Sequence, residues 1–313
     1  MKKTLLFVLA LIAAGCAPAE QSETASDGSE QVTPSDSCAA LSIESPLESL
    51  NSRVEQGDAG AQAELGFFYM RGICVPQDDA EAVRLSRLAA EQGNARGQYN
   101  LGVMYANGDG VPQDDAEAVR LYRLAAEQGN VRAQSNLGLM YRNGRGVPQD
   151  DVEAVRLYRL AAEQGDAIAQ HNLGNMYRDG YGVPEDDAEA VRWWRLAAEQ
   201  GNAYAQANLG FVYGEGRGVP QDYAEAVRWS RLAAEQGNAR GQTNLGSMYG
   251  EGRGVPQDDA EAVRWWRLAA EQGNAVAQYN LERLSDGGEG APYYLAALAG
   301  LLFVAWRALK GRA

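Results

Sequence analysis

Two helical patterns alternate along this chain with one strict period. In the stretch Asn94 to Gly129, Gln98, Leu101, Gly102 and Tyr105 stand at i, i+3, i+4 and i+7, one face of a helix. After a G-x-G-V-P loop a second stripe follows: Ala118, Leu121, Tyr122, Ala125 and Ala126, again at helical spacing. Asn94 and Asp114 are placed to cap the two helices, and Glu117 stands where a capping box puts it. Asn107-Gly108 predicts the end of the first helix, with glycine in the left-handed position, and Gly129 closes the second. The closing glycines Gly57, Gly93, Gly129, Gly165, Gly201, Gly237 and Gly273 are all 36 residues apart. Such a period predicts stacked two-helix units, none of which buries its apolar face alone.

The six full copies run from 58 to 273, with a half unit at each end. Pro46 to Gly57 reads as a lone second helix. Asn274 to Ser285 reads as a lone first helix, in which Glu282 replaces the recurring glycine, as an exposed last face requires.

The run Leu101-Gly102-x-x-Tyr105 matches the first helix of the tetratricopeptide repeat, whose period is 34 residues. The longer unit, the A-Q-x-N-L-G-x-M-Y string and the A-A-E-Q-G-N string together resemble the Sel-one-like repeat, a tetratricopeptide relative. The resemblance covers about 58–286. It implies an all-α, right-handed α-solenoid that binds proteins or assembles complexes, and it names no ligand.

The ends differ from this frame. Residues 1–15 read as a signal peptide: Lys2 and Lys3, then an apolar run from Leu5 to Ala14, too short for a stable anchor. Ala13-Ala14-Gly15-Cys16 resembles a bacterial lipobox, which implies lipid attachment at Cys16 and, with Ala17 following, an outer-membrane lipoprotein. The alternative is ordinary cleavage after Ala19. Residues 16–45 carry six carboxylates and no basic residue, the composition of a disordered tether spanning roughly 30 Å. Residues 287–313 form a Gly-rich linker and a C-terminal apolar helix, Ala291 to Trp306 without a charge, closed by Arg307, Lys310 and Arg312. Three readings stay open for this helix: a membrane span, a helix docked on the solenoid, and a cleaved sorting tail.

The formal charge is −14, and −16 once Lys2 and Lys3 leave with the signal. An acidic chain without basic clusters argues against nucleic acid as partner. The remaining expectation for partners is a protein or peptide, with membrane attachment through the N-terminus and, in one reading, the C-terminal helix. We expect no catalytic residue, metal site or cofactor. His171 is the only histidine, and the glycine loops and carboxylates recur in every copy as helix punctuation. The Trp193-Trp194 and Trp265-Trp266 pairs, with Trp229, read as packing.

The informative positions vary while the frame is fixed. On the first helix they form four columns, represented by Arg96, Tyr99, Val103 and Ala106, on one face. The first column includes Arg96, Arg132, Ile168, Tyr204 and Arg240; the second includes Tyr99, Ser135, His171 and Thr243. Tetratricopeptide solenoids line their groove with this helix, so the resemblance implies a partner-binding face here. Drift on an unused surface is the competing explanation. Two function classes follow: a non-enzymatic envelope scaffold, or a cell-wall or β-lactam hydrolase like cysteine-rich relatives of the family. Those relatives pair cysteines within each repeat, and this chain does not. Cys38 and Cys74, the two cysteines left beside Cys16, are expected to form a disulfide, with two unpaired thiols as the alternative.

Overall fold

The computed structural model describes residues 46–285, which form fourteen α-helices and no strand. By contacts the chain divides after Asn130 into two units. The first holds α1 (Pro46–Glu55), α2 (Ala59–Arg71), α3 (Asp79–Glu91), α4 (Ala95–Asn107) and α5 (Asp115–Glu127). The second holds α6 (Val131–Asn143), α7 (Asp151–Glu163), α8 (Ala167–Asp179), α9 (Asp187–Glu199), α10 (Ala203–Glu215), α11 (Tyr223–Glu235), α12 (Ala239–Glu251), α13 (Asp259–Glu271) and α14 (Ala275–Ser285). Even-numbered helices are the first of each repeat, here A helices; odd-numbered ones are B helices. Within each unit every A helix packs on the B helix that follows it, and that B helix on the next A helix, the stacking of an α-solenoid. The two lone terminal helices, α1 and α14, are where the pattern puts them. The expected leader, Cys16, the acidic tether, Cys38 and the C-terminal apolar helix lie outside the described residues.

Local chemistry sets the helix ends. Asn94 Oδ1 accepts from the Gly97 N–H, and Asp114 Oδ1 from those of Ala116 and Glu117, each satisfying donors that the first turn leaves open. The capping box is not completed. The Asp114 N–H donates instead to the Tyr105 carbonyl at 2.9 Å, tying the B helix to the end of the A helix. That frees Glu117 to take the Arg120 guanidinium with both carboxylate oxygens, at 2.8 and 2.7 Å.

Glycine earns its place in the A helix by close approach. A Cβ on Gly174 would lie 2.6 Å from the Trp194 ring and 3.0 Å from the Ala190 carbonyl. On Gly102 it would lie 2.8 Å from Tyr122. The helix pair closes because the A helix has no side chain where the B helix has a large one. Trp194 and Trp266 are fully buried in this arrangement, and Trp193 and Trp229 are buried beside them, so these tryptophans are packing residues. Leu101 is buried as its stripe predicts, but Tyr105 is only half-buried. Its hydroxyl sits at the edge, accepting from Arg87 at 3.4 Å, and the same pairing recurs as Arg159–Tyr177, Arg195–Tyr213 and Arg231–Tyr249.

A second polar thread runs through the stack. Gln128 Nε2 donates to Gln98 Oε1 at 2.7 Å, and Gln92–Gln62, Gln164–Gln134, Gln200–Gln170, Gln236–Gln206 and Gln272–Gln242 repeat the bond. The A-helix glutamines are buried, and this pairing replaces the water they lose. Their free Nε2 groups reach back to the preceding B helix, as from Gln206 to the Ala198 carbonyl at 3.0 Å.

The loop after α2 departs from the rest. Cys74 occupies the column of Gly110, Gly182, Gly218 and Gly254 and has a φ of 62°, the one positive φ on a non-glycine residue among those described. Such a backbone costs a side chain of order 1–3 kcal/mol. At Gly182 and Gly218 a Cβ would meet a B-helix carbonyl, of Asp151 and Asp187, at 2.2 and 2.4 Å. Cys74 packs instead with Leu50, Leu65, Phe68 and Leu85, and its sulfur is disulfide-bonded.

Candidate functional site

The sixteen variable positions on α6, α8, α10 and α12 contain four arginines (Arg132, Arg142, Arg178 and Arg240), one histidine and no carboxylate, in a chain with 42 acidic and 28 basic residues. The structure separates these positions by depth. The first column is exposed: Arg132, Ile168, Tyr204 and Arg240, with Tyr204 66 % accessible, and in the first unit Arg96, whose guanidinium lies over the Phe67 ring at 5.4 Å.

The second column is largely packed, which corrects the reading of both columns as one offered face. Ser135 and Thr243 are each only 6 % accessible. Tyr99 is half-buried against the Tyr122 ring, centroids 6.0 Å apart. At Thr243 and His171 the neighbour is a B-helix tryptophan: Trp266 Nε1 donates to the Thr243 carbonyl at 3.3 Å, and Trp194 Nε1 to that of His171 at 3.2 Å. A residue three positions after the first column has turned towards the facing helix.

His171 stands at the boundary, half-buried. Burial pulls its pKa from 6.5 down to about 4, and the positive charges of Arg178 and Arg240 act in the same direction. It is therefore neutral at pH 7. Its ring lies 5.9 Å from that of Tyr204, and Asn175 Nδ2 lies 3.3 Å from His171 Nε2, a donor to the unprotonated nitrogen of the neutral ring. From there a polar chain crosses three A helices. Asn208 Nδ2 donates to Asn175 Oδ1 at 3.2 Å, and Arg240 Nη1 donates to Asn208 Oδ1 at 2.7 Å. The Arg240 guanidinium also lies over the Phe211 ring, 5.3 Å from its centroid.

No carboxylate among the described residues forms an ion pair with Arg240, whereas Arg178 is held by Asp179. Burial among the A helices, and then the like charge of Arg178, lower the Arg240 pKa. Asp179 acts in the opposite sense, and the pKa stays at about 10, so the charge remains at neutral pH. Tyr204 and Arg240 together line an open groove of about 490 Å³, floored by Gly237, Asn238 and Ala239 and closed by Gln272. The polar chain and the groove were not legible in the sequence, since Asn208 belongs to a recurring column that reads as frame. Among the described residues no group of three or more His, Cys, Asp or Glu side chains could hold a metal ion, and no helix is long and apolar enough to cross a membrane.

Comparison with known proteins places this architecture. No curated protein matches the chain. The solved structure of a protective antigen present in uropathogenic Escherichia coli strains, displaying an SLR fold, is 43 % identical, with a TM-score of 0.69 over 81 % of this chain. This chain spans about half of that antigen's length, 54 %. A Sel1 repeat protein from Oxalobacter formigenes is 31 % identical, with a TM-score of 0.64 over 75 % of this chain and 92 % of its own. The Sel1 repeat model matches six times in succession, at 59–94, 95–130, 131–166, 167–202, 203–238 and 239–274. Sel1 repeat proteins are typically protein-interaction scaffolds, and with six matched repeats over most of its length this chain belongs to the Sel1 repeat family.

Proposed function

We propose that this protein is a non-enzymatic scaffold that binds a protein or peptide on the exposed face of its A helices. One observation carries the reading: at a fixed place in an otherwise repeated frame, the first column presents Arg132, Ile168, Tyr204 and Arg240 to solvent. Arginine and tyrosine are the residue types that most often dominate binding energy, because they combine contact area with directed polar groups. The revised face omits Ser135 and Thr243, whose side chains are spent inside the stack. The test is replacement of Arg96, Arg132 and Arg240 together by glutamine in the full chain. Partner recovery from an envelope extract should fall at least tenfold at a temperature where the variant is still fully folded. Unchanged recovery, or turnover of cell-wall or β-lactam substrates by the purified protein, would reject the scaffold reading.

We also propose that the scaffold works in the cell envelope, tethered by a lipid on Cys16. The support is the sequence alone: a basic start, an apolar run and a cysteine at its end, then an acidic linker. Cys16→Ser should abolish incorporation of a fatty-acid analogue and release the protein from the membrane fraction; label retained in the variant would refute this. In that oxidising compartment Cys38 is the proposed partner of Cys74. Closing a loop of this size contributes roughly 3–4 kcal/mol in the chain-entropy model. Non-reducing peptide mapping should recover the two cysteines linked, and a free Cys38 thiol would exclude the pairing.

A further inference from the structure

Resting on the scaffold reading above, the charge of the A-helix face specifies the chemistry of its partner. Four arginines and no carboxylate stand on these sixteen variable positions in a chain of net charge −14, and the carboxylates of the same helices, Asp179, Glu215 and Glu251, stand at their last residues. The B helices show what the chain does with arginine elsewhere. There the first of two exposed arginines is matched by a glutamate three residues earlier, as in Arg156–Glu153 at 2.6 Å and Arg192–Glu189 at 2.9 Å, and the second reaches a tyrosine hydroxyl of the next A helix, as in Arg159–Tyr177 at 2.8 Å. Arg240 is treated differently. It is held by neutral groups only, the Asn208 amide oxygen and the Phe211 ring.

These two contacts fix the guanidinium without neutralising it. One of its five N–H donors is committed to Asn208, and the planar fork matches a carboxylate in two parallel bonds. Asn208 is itself set by Asn175, so the cation is oriented before any ligand arrives and loses little rotamer freedom on binding. Beside it lies an open groove of about 490 Å³, with the exposed ring of Tyr204 on its wall and no carboxylate among its lining residues. Side by side, these are an anion contact and an apolar contact. The next cation, Arg178, is shared with Asp179 and stacked on Trp194, and so belongs to the frame.

We propose that this groove takes an acidic peptide segment of a partner protein, one Asp or Glu carboxylate pairing with Arg240 and an adjacent apolar side chain resting on Tyr204. Nucleic acid shares the negative charge but would face the repulsion of the whole acidic chain along its length. A single acidic peptide places its charge only where the cations stand.

The test is selection of a randomised twelve-residue peptide library, displayed on phage, on the immobilised full chain. Recovered peptides should be enriched in Asp and Glu next to an aliphatic or aromatic residue. The best of them, synthesised, should lose at least tenfold in affinity when its acids become Gln or Asn, and at least tenfold against Arg240→Gln measured well below the melting temperature of that variant. Affinity should also weaken as KCl rises from 50 to 500 mM, since the pair is open to solvent. Recovered peptides with no acid enrichment, whose binding is lost in Tyr204→Ala and kept in Arg240→Gln, would overturn the acidic preference and leave the peptide-binding face standing. No enrichment over a blank support would overturn both.

Discussion

The two solvent faces of the repeat use the same charged residue in opposite ways. On the B helices, Arg84, Arg120, Arg156, Arg192, Arg228 and Arg264 each close on the glutamate three residues before them. On the A helices of the second unit, arginines stand in varied columns from which carboxylates are missing, and Arg240 ends a chain of neutral amides. On the B face the arginine of this column is paired within one turn of its own helix, the arginine three residues later reaches a tyrosine hydroxyl of the next A helix, and the sequence there hardly changes from copy to copy. On the A face Arg178 is still paired with Asp179, whereas Arg240 is held by neutral groups and keeps its charge for something outside the chain. A face that resolves its own electrostatics has no need of a partner, and a repeat protein can hold it constant while varying the other.

Both faces depend on a common interior, so the most damaging change falls there. Leu173, fully buried between α8 and its neighbours, should cost roughly 2–5 kcal/mol as Leu173→Ala, read by chemical denaturation, with both faces lost together. Gly174→Ala should cost about 1–3 kcal/mol, because the new methyl meets the Trp194 ring and a backbone carbonyl. A stable Gly174→Ala protein would mean that the helix pair is looser than described.

At the border of the A face, His171 gives a pH signature. Its pKa is lowered on folding from 6.5 to about 4, so the unfolded chain takes up the proton first as pH falls. Its contribution is complete above pH 6.5 and is lost as pH drops towards 4. The wild type should lose on the order of 1–3 kcal/mol more than His171→Asn across that window. Parallel stability curves for the two proteins would contradict the buried, neutral ring.

The smallest effects on stability separate the faces most sharply. Arg192→Gln on the B face should cost only a few tenths of a kcal/mol, and peptide binding should not change. Arg240→Gln on the A face takes the donor from the buried Asn208 Oδ1 and should cost about 1 kcal/mol, with peptide binding falling at least tenfold. If Arg192→Gln weakened binding as much, the contrast between the faces would collapse.

The frame was legible because it repeats. Asn94, Asp114, Gly108 and the half units at each end were placed by spacing and capping chemistry alone. The misreadings have a common physical source, in that spacing fixes the angle of a residue about its own helix and not what faces it. Tyr105 shares the Leu101 face but reaches past the interior to Arg87. Glu117 has capping-box spacing, yet the Asp114 N–H it would accept from was already taken across the loop. Ser135 and Thr243 lie in a variable column, but both are packed inside the stack, Thr243 beneath Trp266 of the B helix. In the loop after α2 a cysteine stands at a glycine position with a positive φ, and its side chain packs with Leu50, Leu65, Phe68 and Leu85.

The paired glutamines have a consequence for how such a protein changes length. Both halves of each pair, such as Gln170 and Gln200, lie inside one matched repeat, and the link to the module before it runs to an alanine carbonyl that every copy supplies. Excising or duplicating a 36-residue block between equivalent positions leaves no glutamine without its mate on either side of the join. Recombination between near-identical segments is thus free to lengthen or shorten the array by whole modules. Each event alters which exposed side chains follow one another while leaving every internal latch closed.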